Sequence, residues 1–337
     1  MKARGIRRGR RLPAARPASR PRPRAPAPPP LGGRIAVLFL VVASGTWTSR
    51  TPAAQPEGQP TPGGWSIRDG DRVVLLGDTF FEREGGRAFV EAALVAAHPE
   101  ARITVRNLGW SGDTVWAESR GVFDPPTKGY ERMLSLVRQL EPTLVFVAYG
   151  RNESQRGAAG LAAFQAQCAK LCADLRATGE RVRLVLVTPY PYETADAAAR
   201  NTALAAYAQA IRDVAREQAA GLVDLFAAWP PALPAAAART ENGVHLSDTG
   251  YEEAARAFVA AAGRSLPTDF AASSTELRRR IAAKNTLFFH RWRPANETYI
   301  FLFRKHEQGN NAVEMPQFDP LVEQAEDAAR AFAKGAP

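Results

Sequence analysis

Hydroxyl, amide and imidazole side chains follow the apolar runs of this 337-residue chain at places where they could act together. The segments are GDT at 77–79, NLGWSGDT at 107–114, YGRNES at 149–154 and ENGVHLSDTGY at 241–251. Acyl transfer requires a hydroxyl that attacks, a histidine that takes its proton, and N–H and amide donors that hold an oxyanion. Thr79, Asn152 and His245 supply the hydroxyl, the amide and the imidazole.

The elements that must position these groups alternate along the chain between strand and helix. Strands are predicted at Val73–Leu76, Ile103–Asn107, Leu144–Ala148, Leu184–Thr188 and Leu222–Leu225, and helices at 87–97, 130–140, 161–177 and 198–219. The strands are continuous apolar runs, which is typical of a parallel sheet buried on both faces by helices. Such sheets bind ligands beyond the carboxyl ends of their strands, so we expect the functional residues directly after each run.

Four short motifs in this order resemble the SGNH hydrolases, also called GDSL lipases/esterases. They are GDT at 77–79, SGDT at 111–114, GRNE at 150–153 and NGVH at 242–245. The resemblance covers about residues 72 to 262. It implies a flavodoxin-like three-layer α/β/α sandwich with a parallel sheet, and an ester hydrolase that needs no metal and no organic cofactor.

The resemblance also implies a role for each motif residue. Thr79 occupies the position of the nucleophilic serine, and its backbone N–H, that of Gly112 and the Asn152 side chain would form the oxyanion hole. His245 would be the general base, and Asn242 occupies the position of the acid that orients it. We expect Asp78 and Glu153, which lie in the GDT and GRNE motifs, near the substrate. Trp110 and Trp116 are expected there too, because they lie beside and within the loop 111–130, and long loops are often functional.

Two of these positions depart from the family pattern. Thr79 has a secondary hydroxyl on a stiff β-branched side chain, although threonine does serve as a nucleophile in some hydrolases. Asn242 replaces the carboxylate that stabilises an imidazolium, and this exchange costs a serine protease about 10⁴ in rate. Glu241 or a backbone carbonyl could take over that role.

A structural interpretation exists for each candidate. Thr79 with Glu82 spells T-x-x-E, a capping box that starts a helix. Asn152 could tie two loops together, and His245 could be a helix N-terminal feature. The substitutions at Thr79 and Asn242 also lead to an alternative function, in which the domain is catalytically weak or inactive and serves as a carbohydrate- or protein-binding module at the cell envelope.

The charge distribution argues against a nucleic-acid partner. The formal net charge is +10, but residues 1–50 contain 12 Lys/Arg and no acid, which leaves 32 basic and 34 acidic residues in the rest. A nucleic-acid binder carries its basic patch on the folded domain. We therefore expect no nucleic-acid partner. The resemblance and the aromatic residues near 111–130 instead favour a small-molecule or polysaccharide ester as the substrate, and the sequence does not define the oligomeric state.

Composition divides the chain into five segments. They are a basic Pro/Arg-rich N-terminus (1–34), an apolar segment (35–47), a linker (48–70), the main domain (71–265) and a C-terminal helical and aromatic extension (266–337) that we expect to pack on the domain. A basic region before a short apolar run is typical of a secretory signal. We predict an exported protein, with an N-terminal membrane anchor as the alternative.

The remaining histidines and the two cysteines are predicted to have no role in the chemistry. We expect His98 to be exposed and His290 and His306 to be structural. Cys168 and Cys172 lie four residues apart on one helix and are expected to be small buried residues rather than metal ligands.

Overall fold

A computed structural model of the chain describes residues 64–229, 238–307 and 311–335. Their centre is a five-stranded parallel sheet in the order β2-β1-β3-β4-β5. The strands are β1 (Arg72–Gly77), β2 (Thr104–Gly109), β3 (Leu144–Ala148), β4 (Arg183–Val187) and β5 (Gly221–Val223). Each predicted strand overlaps one of these, and the predicted α/β class with a parallel sheet is confirmed.

Eleven α-helices lie among the described residues. They are α1 (Thr79–Arg87), α2 (Phe89–Ala97), α3 (Pro126–Gln139), α4 (Gly157–Arg176), α5 (Ala197–Glu217), α6 (Leu225–Ala228), α7 (Asp248–Ala261), α8 (Phe270–Ser273), α9 (Thr275–Trp292), α10 (Glu297–Ile300) and α11 (Phe318–Ala333). Short 3₁₀ turns occupy Glu118–Gly121, Glu153–Arg156 and Asn311–Gln317. The helix predicted at 87–97 begins later, because Ala88 takes a left-handed conformation (φ 56°) that separates α1 from α2.

The central strand shows how the three layers form. Val73 and Leu75 of β1 enter a core with α1, α2 and α7, whereas Val74 and Leu76 enter a second core with α3, α4 and α5. Successive side chains of a strand point to opposite faces, so an apolar run without alternation fills both cores. Cys168 and Cys172 are buried in the second core with free thiols, as expected.

The edge strand β2 is covered by α9 and α11 of the extension. Lys284 Nζ donates to the Val105 carbonyl (2.9 Å), and a Glu326 oxygen accepts the Val105 N–H (2.8 Å). Arg330 donates to the Ile103 carbonyl at 2.6 Å. Lys284 is fully buried and pairs with Glu91 at 2.5 Å. These side chains satisfy backbone groups that an open sheet edge would leave exposed.

The position of His98 differs from the sequence-based expectation. His98 is buried, 3% exposed, and its Nδ1 lies 3.0 Å from the Leu94 carbonyl, so the expected exposure was wrong. A histidine that ends a helix can turn back onto the last carbonyls, which composition does not reveal.

The N-terminal segments 1–34 and 35–47, and most of the linker 48–70, lie outside the described residues. Within the described ranges, no helix combines the length and apolarity that a membrane span requires.

Candidate active site

The register of the sheet brings three loops together. Gly77 of β1 pairs with Gly109 of β2 and with Ala148 of β3, so these strands end at the same level. The loops that follow contain Thr79, Gly112 and Asn152. Gly77 is required here, because a Cβ at this position would lie 2.5 Å from the Ala148 carbonyl oxygen. The predicted position of the site, at the carboxyl edge, thus follows from the strand pairing.

Thr79 is the first residue of α1 and does not cap it. The N-cap is Asp78, whose carboxylate accepts the Phe80 N–H at 2.9 Å. Glu82 does not reach back to Thr79; it accepts the Ser111 N–H and pairs with Arg293 at 3.1 Å. The T-x-x-E capping box predicted from the sequence is therefore wrong. Thr79 is half-buried, and its Oγ1 is free of the cap.

The Thr79 hydroxyl faces the second loop. Gly112 has φ +72°, a conformation that favours glycine, and its N–H donates to Thr79 Oγ1 at 3.0 Å. The hydroxyl and one predicted oxyanion donor are therefore direct neighbours. A substrate oxygen that accepted a hydrogen bond from the Gly112 N–H would replace Thr79 Oγ1 as the acceptor.

A buried ionic network holds the second loop. Asp113 is fully buried and accepts hydrogen bonds from Arg120 Nε (2.6 Å) and the Tyr149 hydroxyl (2.9 Å). Arg120 also donates to the Leu108 carbonyl at 2.9 Å. Burial raises the pKa of Tyr149 well above its usual value, so this hydroxyl stays a donor. The network fixes the backbone that presents Gly112.

Asn152 connects the second and third loops. Its Nδ2 donates to the Asp113 carbonyl at 2.7 Å, which uses one of its two amide hydrogens. The structural role expected for this residue is thus present, and one hydrogen remains for a ligand. The next residue, Glu153, is fully buried; its oxygens accept the N–H groups of Val115 and Gly150, both at 2.8 Å.

The carboxyls of Asp78 and Glu153 lie beneath the site rather than at its surface. Burial raises the pKa of Asp78 to about 6 and that of Glu153 to about 7. The backbone N–H groups that they accept lower these values but do not cancel the desolvation. We placed both residues at the substrate from the sequence, whereas the structure uses them to support the loops.

His245 lies three residues before the start of α7, in a segment that we call the histidine loop. Asn242 Nδ2 lies 3.1 Å from His245 Nδ1. Asn242 Oδ1 accepts two backbone N–H groups, from Val244 (3.1 Å) and His245 (2.9 Å). Reversing the amide would point its NH₂ group at these donors, so the hydrogen-bond network determines its orientation. The asparagine therefore donates to Nδ1.

This contact places the imidazole proton on the other ring nitrogen. A ring nitrogen that accepts a hydrogen bond carries no proton, so neutral His245 is protonated at Nε2. Burial, together with Arg83 and Arg151, lowers the pKa of His245, so the ring is neutral at pH 7. No hydrogen bond joins His245 to Thr79 in the part of the chain that the structure describes.

Glu241 does not take over the role of the missing acid. Its carboxylate pairs with Arg83 at 2.7 Å and with Arg87, both on α1. These ion pairs attach the histidine loop to α1 at the protein surface. Asn242 is thus the side chain that meets His245 Nδ1, as the resemblance implied for this position.

The histidine loop is also held from inside by Arg151. The guanidinium lies between the rings of Tyr190 (4.1 Å) and Tyr192 (3.8 Å) and donates to the Val244 carbonyl at 3.0 Å. Tyr190 Oη donates to the same carbonyl at 2.8 Å. The carbonyl immediately before His245 therefore has two fixed donors.

The two predicted tryptophans are half-buried. Trp110 contacts the extension, with the Arg293 guanidinium 3.5 Å from its ring centre and Trp292 at 5.8 Å. Trp116 stacks with Arg156 at 4.8 Å. The described residues contain no cluster of His, Cys, Asp or Glu that could hold a metal ion.

Sequence reasoning did not find Arg120, Arg151, Tyr190 and Arg293. Tyr190 follows β4, so the rule that selected the other strand ends would have found it. Arg151 lies inside the GRNE motif, at the position that the family motif GxND leaves unspecified. Arg120 and Arg293 act through contacts distant in sequence, for which the sequence carries no local signal.

The fold and these side chains together define an α/β protein with the groups of an acyl-transfer site. The model of the GDSL-like lipase/acylhydrolase family matches residues 67–253, more than half of the chain. The chain therefore belongs to the GDSL-like lipase/acylhydrolase family of ester hydrolases. The resemblance to SGNH hydrolases found in the sequence is confirmed.

Two solved structures illustrate what the fold is similar to. The acetylxylan esterase Axe2 from Geobacillus stearothermophilus has 23% sequence identity and a TM-score of 0.47, over 60% of this chain and 97% of that one. LAE5, an alpha/beta hydrolase enzyme from the metagenome of Lake Arreo, has 24% identity and a TM-score of 0.46, over 58% and 97%. No curated protein matches the sequence significantly.

Proposed function

We propose that the protein hydrolyses an ester of an acylated carbohydrate, with Thr79 as nucleophile and His245 as general base. The contact between Thr79 Oγ1 and the Gly112 N–H, at 3.0 Å, carries the proposal, because it places a hydroxyl beside an oxyanion donor. Membership of an acylhydrolase family supports the same reaction.

In the proposed reaction, Thr79 Oγ1 attacks the ester carbonyl carbon and its proton passes to His245 Nε2. The carbonyl electrons move to the oxygen, which the N–H groups of Thr79 and Gly112 and the free amide hydrogen of Asn152 stabilise. The intermediate then expels the alcohol, which takes the proton from Nε2. Water hydrolyses the acyl-threonine by the same steps, with the proton again passing through His245.

The orientation of Asn242 limits the rate of this reaction. Because Asn242 donates to Nδ1, Nε2 carries a proton in the neutral ring and cannot accept another. The imidazole must first move its proton to Nδ1, where it would face an amide donor. We therefore expect wild-type activity well below that of a site with a carboxylate at position 242.

The same observation favours a second candidate function. A ring with a proton on Nε2 can donate a hydrogen bond to a ligand without acting as a base. In that case the domain binds an acylated carbohydrate, or a protein, at the cell envelope and does not cleave it. The two candidates differ in one measurable quantity, the rate of ester hydrolysis.

The substrate class and location rest on sequence features. Trp110 and Trp116 flank Gly112 in the sequence, and aromatic rings suit the apolar faces of sugars. The basic N-terminus and the apolar segment 35–47 suit export, where polysaccharides occur. Cell fractionation tests the location, and a protein confined to the cytoplasm would contradict it.

Hydrolysis of p-nitrophenyl acetate tests the reaction. We expect measurable activity in the wild type, and a loss of about 10³-fold or more in Thr79→Ala and in His245→Ala. Thr79→Ser is the matched control, since it keeps the hydroxyl, and should retain activity. If only the double variant Thr79→Ser/Asn242→Asp is active, the binding module is the native function. If that variant is also inactive while folded, the proposed acyl transfer is wrong.

A further inference from the structure

The loop that presents the Gly112 N–H, residues 110–113, has two exposed residues in its middle. We call it the glycine loop. Its ends are fixed, because the Trp110 N–H donates to a carbonyl of β1 at 3.0 Å and Asp113 belongs to the buried network. Ser111 and Gly112 between them are exposed. The hydrogen bonds of their own N–H groups therefore decide how firmly the middle of the loop is held.

Both of these N–H groups donate to side chains of α1. The Gly112 N–H donates to Thr79 Oγ1 at 3.0 Å, and the Ser111 N–H donates to the Glu82 carboxylate. The first of these hydrogen bonds is broken in the proposed reaction, because Thr79 attacks the ester and the Gly112 N–H binds the oxyanion. Among the described contacts, the hydrogen bond from Ser111 to Glu82 then links the middle of the loop to α1.

Glu82 is held in turn by an arginine of the C-terminal extension. Arg293 lies directly after α9, and its Nη1 donates to Glu82 at 3.1 Å. Its guanidinium also lies 3.5 Å from the centre of the Trp110 ring. Arg293 therefore supports two consecutive residues of the glycine loop, Trp110 directly and Ser111 through Glu82. The family model ends at residue 253, so this support comes from a part of the chain beyond it.

The charge of Arg293 also bears on the oxyanion. The Glu82 carboxylate binds the residue next to Gly112, and an unpaired negative charge there would oppose the charge that develops on the substrate oxygen. The pair with Arg293 compensates it. Both side chains are largely removed from solvent, with Arg293 23% and Glu82 24% exposed, so water screens the carboxylate only in part.

We propose that Arg293 is a positioning residue, which acts through Glu82 to keep the Gly112 N–H directed at the oxyanion. It does so when the Thr79 hydroxyl has left this N–H for the substrate. The inference rests on the proposed function, since it assigns a role in stabilising the oxyanion of that reaction. The extension thereby contributes to catalysis without contacting the reacting atoms.

Arg293→Met tests this role, because it removes the charge and the donor but keeps an unbranched chain beside Trp110. Complete loss of one oxyanion donor costs about 10²–10³-fold in kcat. Misalignment of a donor that is still present should cost less, so we expect kcat for p-nitrophenyl acetate to fall about tenfold, with KM within about twofold of wild type. Arg293→Lys keeps the charge and should recover part of the loss. Arg291→Met, which breaks the exposed pair with Asp319 at the end of the same helix, is the matched control and should keep the wild-type rate.

A double-mutant cycle shows whether Arg293 acts through Glu82. Glu82→Gln keeps an oxygen that can accept the Ser111 N–H and removes the charge. In Glu82→Gln/Arg293→Met no carboxylate is left uncompensated, so kcat should lie within about twofold of the slower single variant. Losses that multiply in the double variant would show that the two residues act independently and would overturn the proposed route.

Hydrogen exchange separates this inference from the proposed function. The N–H groups of Ser111 and Gly112 are protected by their hydrogen bonds, and a loosened loop exchanges faster. Deuterium uptake of the peptide with residues 108–115 should be about tenfold faster in Arg293→Met and unchanged in Arg291→Met, with wild-type uptake elsewhere. Faster uptake supports the inference even if no variant cleaves esters, in which case only the proposed function fails. If Arg293→Met matches Arg291→Met in uptake and in kcat, the positioning role is wrong and the esterase proposal stands.

Discussion

The two halves of the proposed active site are built differently: the nucleophile half contains Thr79, Gly112 and Asn152, and the histidine half contains Asn242 and His245. The loops that carry Thr79, Gly112 and Asn152 rest on fully buried acids, Asp113 and Glu153, whose oxygens all accept hydrogen bonds. The histidine loop is held from inside by Arg151 and at the surface by the ion pairs of Glu241, and Asn242 itself is exposed. The loops with Thr79, Gly112 and Asn152 are thus supported by buried carboxylates, whereas Asn242, which departs from the family pattern, lies at the surface.

The comparison predicts that a substitution in the buried network of the nucleophile half lowers the free energy of unfolding more than one in an exposed ion pair. Asp113→Asn leaves the buried Arg120 charge without a carboxylate, and loss of one partner of a buried pair costs about 3–5 kcal/mol. Urea denaturation should show this loss. Asp124→Asn, in the exposed pair with Arg132, is the matched control and should cost less than about 1 kcal/mol. Equal effects of the two substitutions would contradict the comparison.

A change in the histidine half should alter the rate with little effect on stability. Asn242→Asp keeps the oxygen that accepts the Val244 and His245 N–H groups and presents a second oxygen to Nδ1. This moves the imidazole proton to Nδ1, so Nε2 can accept one from Thr79. We expect kcat/KM for p-nitrophenyl acetate to rise about 100-fold.

The pH profile of Asn242→Asp provides the readout that a structural role would not change. A carboxylate beside His245 raises its pKa, which burial and two arginines lower in the wild type. The acidic limb of kcat/KM should therefore move to higher pH in the variant. An unchanged rate with an unchanged limb would show that His245 is not the base.

The contribution of Asp78 in the nucleophile half to stability should fall as the pH rises. Burial raises the pKa of Asp78 to about 6, so the fold favours its neutral form. Its contribution to stability is complete below about pH 4 and is lost as the pH rises through 6. Asp78→Asn keeps the cap on Phe80 and cannot ionise, so it should remove on the order of 2 kcal/mol of the stability loss between pH 4 and 8. Thermal unfolding at several pH values measures this, and an equally steep loss in the variant would exclude Asp78 as its source.

The smallest effect is expected where Arg151 joins the halves. Arg151→Met keeps an apolar chain between Tyr190 and Tyr192 but removes the donor to the Val244 carbonyl. Tyr190 still holds that carbonyl, so we expect kcat to fall only about tenfold, with KM nearly unchanged. Arg151→Lys should recover part of the loss. A 10³-fold loss would instead give Arg151 a direct role in the reaction.

The sequence predicted the parts of the molecule that local pattern determines. Apolar runs defined all five strands, and the strand-end rule located Thr79, Gly112 and Asn152, because parallel pairing brings strand ends to one edge. The sequence did not predict that Asp78 would cap α1 in place of Thr79, because the two possible helix starts differ by only one residue. The amide orientation of Asn242 depends on two backbone donors that only the folded loop provides. Contacts such as Arg293 with Glu82 join residues more than 200 positions apart and leave no periodic signal.

The side chains that cover β2 have a consequence for assembly. With the N–H and carbonyl of Val105 bonded to Glu326 and Lys284, this side of the sheet cannot accept a strand from another copy of the chain. Strand addition and edge-to-edge aggregation are blocked there by charged groups within the same polypeptide. A protein shortened at the end of the main domain would expose this edge, so the extension also keeps the hydrolase domain from associating through its sheet.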